Sequence, residues 1–388
     1  MKGSIRSQGK GSWEVRLYLG RGPDGRKLYK SHTVEGTKRQ AQNELNVLLS
    51  KLQKGEYVAP SKMTVAEYLK RWIEDYARVK VGAKTLERYA EIVDAHLAPA
   101  LGQHSLAKLQ PLHIQAYYSH ALQRGRRDGR GGLSAQTVLH HHRVLREALH
   151  QALRWQLLAR NPADAVEPPH PQRREMHAFD QAEVAGLLEA ARGTRLGLPV
   201  LLAVTTGLRR GELLGLRWQD VDLDASKLAV RQSLEQTKAG LGFKQPKTQK
   251  GRRVVTLPPI AVEALRRHKA EQAKERLLLG PGYQDHGLVL ARADGRPLDP
   301  AETTRAFARL VRQAGVRAFS LHALRHTHAT LLLQENVHPK VVSERLGHAT
   351  VGITLDTYSH VLPNLQEEAA RKIDALLARS ASARRRDS

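Results

Sequence analysis

Five short stretches of this chain carry side chains suited to gripping and attacking a phosphate. In His322-Ala323-Leu324-Arg325-His326, the i to i+3 spacing puts His322 and Arg325 on one face of a helix. With Ser320 as its cap, His322 lies in the first turn, where free backbone N–H groups and the helix dipole favour an anion. Arginine suits the task because its planar fork binds two phosphate oxygens at once. Thr206-Gly207-Leu208-Arg209-Arg210-Gly211-Glu212 follows an apolar helix read over 195–205. Its glycines make a tight turn from which an arginine can aim into a cleft while Glu212 begins a new helix and orients neighbours. Lys247, in Gln245-Pro246-Lys247-Thr248, precedes a strand read over 252–257, and a hairpin lysine can swing toward a bound strand. Leu346-Gly347-His348 closes a helix opened by Pro339, and Tyr358 follows in Thr354-Leu355-Asp356-Thr357-Tyr358.

Each stretch has a plainer reading. His322, His326 and His328 have spacings at which histidines can share a metal ion, but metal hydrolases add a carboxylate, and the nearest acid after this run is Glu335. A satisfied core imidazole is the ordinary fate of His326 and His328. Most Arg-Gly-Glu runs are solvated surface. Lys247 in isolation is indistinguishable from a surface lysine, and Lys244 and Lys250 lie close by. A lone tyrosine is usually core or interface.

The elements that must position these groups read as a mainly α fold with small β-sheets (α+β). The first segment, 1–60, reads as a small three-stranded sheet plus a helix. Trp13, Val15 and Leu17 alternate with Glu14, Arg16 and Tyr18, Pro23-Asp24-Gly25 marks a turn, and Leu28 to Val34 returns as a strand. Thr37 and Gln40 form a capping-box pattern ahead of Ala41, Leu45, Leu48, Leu49 and Leu52. A linker over 57–62 precedes an all-helical segment, 61–165, opened by the capping box Thr64–Glu67. Further helical patterns run over 85–97, 112–122 and 134–155, and a basic Gly-rich loop lies at 125–132. The prolines at 162, 168, 169 and 171 cannot sit inside a helix, so 161–174 reads as an extended linker. The last domain, 175–388, reads as mixed and mainly helical, with strands at 227–233 and 252–257, a helix from Asp299-Pro300-Ala301-Glu302 to Gly315, and a basic tail.

Composition narrows the partner. Lys and Arg number 63 against 38 Asp and Glu, a formal charge of +25, which calls for a polyanion. An anionic membrane would require an apolar anchor of about 20 residues or a bulky amphipathic face; the longest fully apolar stretches here are short, as in 198–204, so nucleic acid is favoured and no membrane is expected. With no cysteine, disulfides, thiol nucleophiles and Cys-based zinc sites are excluded. Residues 1–8 lack an apolar signal core, which leaves a cytoplasmic, nucleoid-associated location as the expectation. Basic residues outnumber acids 12 to 5 over 1–60, consistent with an accessory DNA-binding module.

Taken together and in order, an Arg in a Thr-Gly-Leu-Arg turn, a hairpin Lys, His-x-x-Arg on a helix, Gly-His and then Tyr, the motifs over 64–365 resemble the tyrosine recombinase family, the phage-integrase type. The first segment resembles the arm-site-binding module of three-domain integrases such as that of phage lambda, and 61–165 resembles their SAM-like core-site-binding domain. The resemblance implies that Arg209 and Arg325 clamp a scissile phosphate with His322 and His348, that Lys247 is the general acid, that Tyr358 is the nucleophile forming a 3′-phosphotyrosine, and that Glu212 braces the site. It further implies double-stranded attachment-site DNA as partner, a homotetramer on DNA, docking of 363–377 on a neighbouring protomer, no metal or cofactor, and room for a DNA-bending host protein and an excisionase. The competing readings are a catalytically silent DNA-binding regulator and a type IB topoisomerase.

Overall fold

A run of alternating apolar residues too short to form a core alone must be covered by a neighbouring element. In the computed structural model, which describes residues 3–21, 25–53, 62–172, 178–246, 251–358, 370–371 and 373–375, β1 (Gly3–Gly9), β2 (Ser12–Arg21) and β3 (Lys27–Glu35) form an antiparallel sheet in sequence order. Val15 and Leu17 of β2 are buried beneath Ala41, Leu45 and Leu48 of α1 (Lys38–Gln53). The expected Thr37–Gln40 box is made: Thr37 N–H donates to Gln40 Oε1 at 2.7 Å and Gln40 N–H to Thr37 Oγ1 at 3.3 Å.

The next core belongs to helices alone. It is built from α2 (Val65–Trp72), α3 (Arg78–Lys80), α4 (Ala83–Ile92), α5 (Ala98–Leu101), α6 (Pro111–Arg124) and α7 (Ala135–Arg154) around Tyr68, Trp72, Tyr118, Leu145 and Leu149. Wide π-helical turns at Ile73–Ala77 and Val93–Leu97 join α2 to α3 and α4 to α5. The pattern over 85–97 therefore covers one helix and a following π turn. The loop at 125–132 is stapled by Arg126, which donates to Asp128 at 2.8 and 3.1 Å. One expectation is corrected here. The stretch from Asn161 is not all linker: Pro162–Ala165 forms a 3₁₀ turn, Ala163 and Val166 are buried in the helical core, and Asn161 donates to the Arg146 carbonyl at 3.1 Å. The division into compact units falls between Arg173 and Arg174. The expected linker over 57–62 lies almost wholly outside the described residues.

The second unit contains α8 (Gln181–Ala191), α9 (Gly197–Thr206), α10 (Arg210–Leu214), β4 (Val221–Asp222), β5 (Lys227–Val230), β6 (Ser233–Thr237), β7 (Gly240–Lys244), β8 (Arg253–Thr256), α11 (Pro259–Leu279), α12 (Pro300–Gln313), α13 (Ala323–Gln334), α14 (Pro339–Leu346) and α15 (Val351–Tyr358). Strands β4, β5 and β8 make one antiparallel sheet, and β6 and β7 a separate hairpin. The strand expected over 227–233 is interrupted because Gln232 turns its amide onto the Gly215 carbonyl at 2.8 Å, so Ser233 opens a new strand. Asp180 and Asp299 cap α8 and α12 as expected, Asp299 Oδ1 accepting from Ala301 at 2.7 Å and Glu302 at 2.8 Å. Ser320 does not cap α13. Its carbonyl instead accepts from Ala323 N–H at 2.9 Å in a turn, and His322 becomes the N-cap residue with no side-chain cap bond. No helix among the described residues is long and apolar enough to cross a membrane.

Candidate active site

Two left-handed glycines shape the site. Helix α9 stops at Gly207, φ 66°, and α14 stops at Gly347, φ 67°, a conformation that glycine adopts without the Cβ clash. A Cβ on Gly207 would also lie 2.6 Å from His328 Cδ2 and 2.7 Å from Leu346 Cδ2, so the turn is closed against α13 and α14 as well. The Arg325 guanidinium bridges the two helix ends: Nη1 donates to the Gly207 carbonyl and Nη2 to the Leu346 carbonyl, each at 2.7 Å. Both are carbonyls left over at helix C-termini.

Arg325 is 3% exposed, and among the described residues no carboxylate is hydrogen-bonded to it. Burial, then repulsion from Arg209, pushes its pKa down to about 9, with Glu212 acting the other way. A buried cation held only by carbonyls still lacks an anion. A guanidinium has five N–H donors; the two carbonyls leave the remaining ones for a ligand.

Arg209 immediately precedes α10. Its backbone N–H donates to Glu212 Oε2 at 3.0 Å, its Nη1 to Glu212 Oε1 at 2.7 Å, and its Nη2 to the Gly347 carbonyl at 3.4 Å. Glu212 is thus both the backbone cap and the side-chain brace of Arg209. The same carboxylate accepts from Arg253 of β8 at 2.8 and 3.2 Å, and Arg253 Nε donates to the Arg345 carbonyl at 2.6 Å. Burial would raise the Glu212 carboxyl, but hydrogen bonding and charge from Arg253, aided by Arg209, outweigh it and hold the group below its ordinary value.

His322 still meets solvent, yet burial, followed by the cations Arg325, Arg209 and Arg210, lowers its pKa. His348 is pushed down to about 4 by burial and by Arg325, Arg209 and Arg253, and its Nδ1 shares a hydrogen bond of 2.8 Å with Thr354 Oγ1. Both rings are therefore neutral at pH 7 before a ligand arrives. Tyr358, at the end of α15, is 2% exposed, and burial raises it to about 12 against the opposing charge of Arg325. Its hydroxyl lies 2.7 Å from His326 Nδ1.

The fold thus brings Arg209, Glu212, His322, Arg325, His348 and Tyr358 into one electrostatic neighbourhood. Lys247 lies outside the described residues. Its neighbour Lys244 is paired with Glu235 across the hairpin. Two of the three histidines at metal-sharing spacing are engaged elsewhere: His326 meets Tyr358, and His328 sits 2.7 Å from the Val204 carbonyl and accepts from Arg345. Among the described residues no group of three or more His, Asp or Glu side chains is placed to hold a metal ion. The expectation of a satisfied core imidazole fits the buried His328, while His326 is half-buried and bonded to Tyr358. Arg253, Arg345 and Thr354, which fix the site from behind, were not singled out by sequence; nothing local distinguishes them from other basic or hydroxyl residues.

Comparisons with known proteins identify the family. Residues 177–364 match the Phage integrase family model, and residues 64–122 match the model for the phage integrase N-terminal SAM-like domain. A protein named Tyrosine recombinase XerC-like, from Caldanaerobacter subterraneus subsp. tengcongensis, is 28% identical over 95% of this chain and 97% of its own length. An integrase of Streptomyces ambofaciens is 28% identical over 95% of this chain and 94% of its own. Among solved structures, the Tn1549 transposon integrase in complex with transposon right end DNA superposes with a TM-score of 0.66 at 21% identity, covering 81% of this chain and all of that one. A lambda integrase dimer bound to a COC′ core site gives 0.54 at 19% identity over 93% of this chain and 94% of that one. The last two likenesses concern the fold.

Proposed function

This chain belongs to the phage integrase family, is a tyrosine recombinase, and from that premise we propose that it cuts and rejoins double-stranded DNA at specific attachment sites, with Tyr358 as nucleophile and Arg209, Arg325, His322 and His348 as the phosphate cage. The observation that carries the reading is the buried Arg325 guanidinium, bonded to two helix-end carbonyls and, among the described residues, to no carboxylate. A scissile phosphodiester supplies the missing anion.

In the proposed reaction the Tyr358 hydroxyl gives up its proton to solvent, favoured by the positive charge of Arg209 and Arg325, and its oxygen attacks phosphorus while the bond from phosphorus to the 5′ oxygen breaks. Negative charge gathers on the non-bridging oxygens, where fixed Arg and His donors stabilise it; loss of one such donor commonly costs about 10²–10³ in rate. The departing deoxyribose oxygen needs a proton, and Lys247 is the proposed acid. The engagement of Lys244 by Glu235 supports Lys247 over that neighbour. The product is a 3′-phosphotyrosyl bond and a free 5′-hydroxyl. That hydroxyl attacks the phosphotyrosine of a partner duplex, so rejoining uses the stored ester bond and no nucleotide. Glu212 acts by holding Arg209.

We assign segment 1–60 to arm-type DNA contacts, 61–165 to core-site contacts and 175–388 to catalysis, on a DNA-bound tetramer serving a phage or other mobile element. Support comes from the net charge of +25 and from the lambda integrase tetramer bound to a Holliday junction, whose fold this chain shares at TM-score 0.55. Docking of 363–377 on a neighbour falls almost wholly outside the described residues and is carried as part of this assembly proposal.

The test is a nicked duplex carrying the attachment site, taken from DNA flanking the gene. The full chain should form an SDS-stable protein–DNA adduct, and Tyr358→Phe should form none. An adduct that persists in Tyr358→Phe overturns the assignment.

A further inference from the structure

A phenol that must attack phosphorus has to present its oxygen to the outside of the protein. Here the opposite holds. The Tyr358 side chain is 2% exposed and packs with Ala329, Leu333, Val342 and Leu346 between α13 and α14. Among the described residues its hydroxyl has one recorded hydrogen-bond partner, His326 Nδ1 at 2.7 Å. His326 follows Arg325 on α13, and its ring meets the His322 ring edge-on at 4.8 Å between centroids.

Resting on the reading of Tyr358 as nucleophile, we propose that His326 is its positioning residue: the imidazole holds the hydroxyl in a buried resting pose, and this hydrogen bond opens before the oxygen reaches a phosphodiester. Among the described residues the groups facing His326 are neutral or cationic: His322 and Arg325 beside it in the chain, His348 beyond α14, and Tyr358 on α15. Burial first, then His322, Arg325 and His348, keep the ring unprotonated at neutral pH. A neutral imidazole keeps one N–H; in the tautomer that carries it on Nε2, Nδ1 accepts from the Tyr358 hydroxyl, which then stays protonated and engaged. The contact is a resting contact, because a hydroxyl bonded to His326 and packed among Ala329, Leu333, Val342 and Leu346 must leave that partner before its oxygen can attack phosphorus. His326 therefore acts through Tyr358 and not on the phosphate.

Protection of Tyr358 in the DNA-free full chain tests this without any cognate DNA. Tyrosine nitration by tetranitromethane is followed by peptide mass spectrometry, with buried Tyr118 of the helical unit as internal control. His326→Leu removes the acceptor and keeps apolar volume; His326→Asn keeps an acceptor near the Nδ1 position. Losing one net hydrogen bond predicts a roughly two- to tenfold rise in Tyr358 nitration for His326→Leu. His326→Asn should stay near the parent rate, and Tyr118 should not change. An unchanged Tyr358 rate in His326→Leu overturns the proposal, as does a parallel rise at Tyr118, which would mean general loosening. His326→Ala carries the same comparison if the Leu variant does not fold. On nicked DNA, a 10²-fold or greater fall in adduct rate for His326→Leu would identify a proton acceptor in the reaction and also overturn the resting role. If the parent chain itself forms no adduct, the functional reading fails while the nitration comparison still decides this one.

Discussion

Glu212 and Arg253 form an ion pair 2.8 Å long in which each side chain is only 6% exposed. The pair lies behind the proposed phosphate cage and determines its shape, because Glu212 also holds Arg209 while Arg253 holds the end of α14 from which His348 projects. Removing the carboxylate would leave a buried guanidinium unpaired.

Glu212→Gln should accordingly destabilise the catalytic unit by about 3 kcal/mol, the scale for breaking one side of a buried pair. The pH dependence has a definite sign. The Glu212 carboxyl is held below its ordinary value of 4.5, so its stabilisation is complete above that value and is lost as pH falls through the lower folded one. Urea unfolding of the full chain from pH 7 to 3 checks both points. A Gln variant with the parent midpoint at pH 7 would refute the role.

The helical unit should be acid-sensitive over a different window. His141 lies 2.7 Å from the Tyr117 hydroxyl and His142 2.8 Å from that of Tyr118, both between α6 and α7. Burial, then His96, Arg88 and His140, lower His141 to about 4, with Glu91 opposing. A histidine whose folded pKa lies below its unfolded value of 6.5 contributes fully above pH 6.5 and loses stability as pH falls toward 4. The melting temperature of this unit should therefore fall between pH 7 and 5. His141→Gln should flatten that slope; an equal slope in the variant would show that other groups set it.

What sequence made legible is what short-range chemistry controls. Thr64–Glu67, Asp180–Glu183 and Asp299 are caps whose partners lie within three residues, and all are formed. Gly207 and Gly347 mark helix ends because only their backbone freedom suits the turn. The convergence of Arg209, His322, Arg325, His348 and Tyr358 was readable from motif order, not from any one residue. Hidden were the residues whose work is long-range. Arg253 reaches Glu212 from 41 positions away and the Arg345 carbonyl from 92, and in a chain with 63 basic residues neither stands out. Strand β1 has only Ile5 as an apolar marker and is defined by its pairing with β2. The Ser320 cap failed because its backbone, not its hydroxyl, is used in the turn before α13.

Arg325→Lys tests whether shape as well as charge is needed. A single ammonium cannot span the Gly207 and Leu346 carbonyls and still present a fork to phosphate. Single-turnover adduct formation should fall by about 10²-fold or more, while filter binding to the same DNA changes far less. Cleavage within tenfold of the parent would mean that charge alone suffices.

Thr354 supplies the last test. It is fully buried, and its Oγ1 lies 2.8 Å from His348 Nδ1, six residues back along the chain. That bond fixes which ring nitrogen of His348 remains available to a phosphate oxygen. Thr354→Val keeps the shape and removes the hydroxyl, so it leaves packing nearly intact while freeing the ring to turn. Losing a hydrogen bond that orients a catalytic donor should slow adduct formation by about tenfold, with little change in DNA affinity. Thr354→Ser restores the hydroxyl and should recover most of the rate. If the Val variant cleaves as fast as the parent, His348 is oriented by its backbone at the end of α14 and not by Thr354.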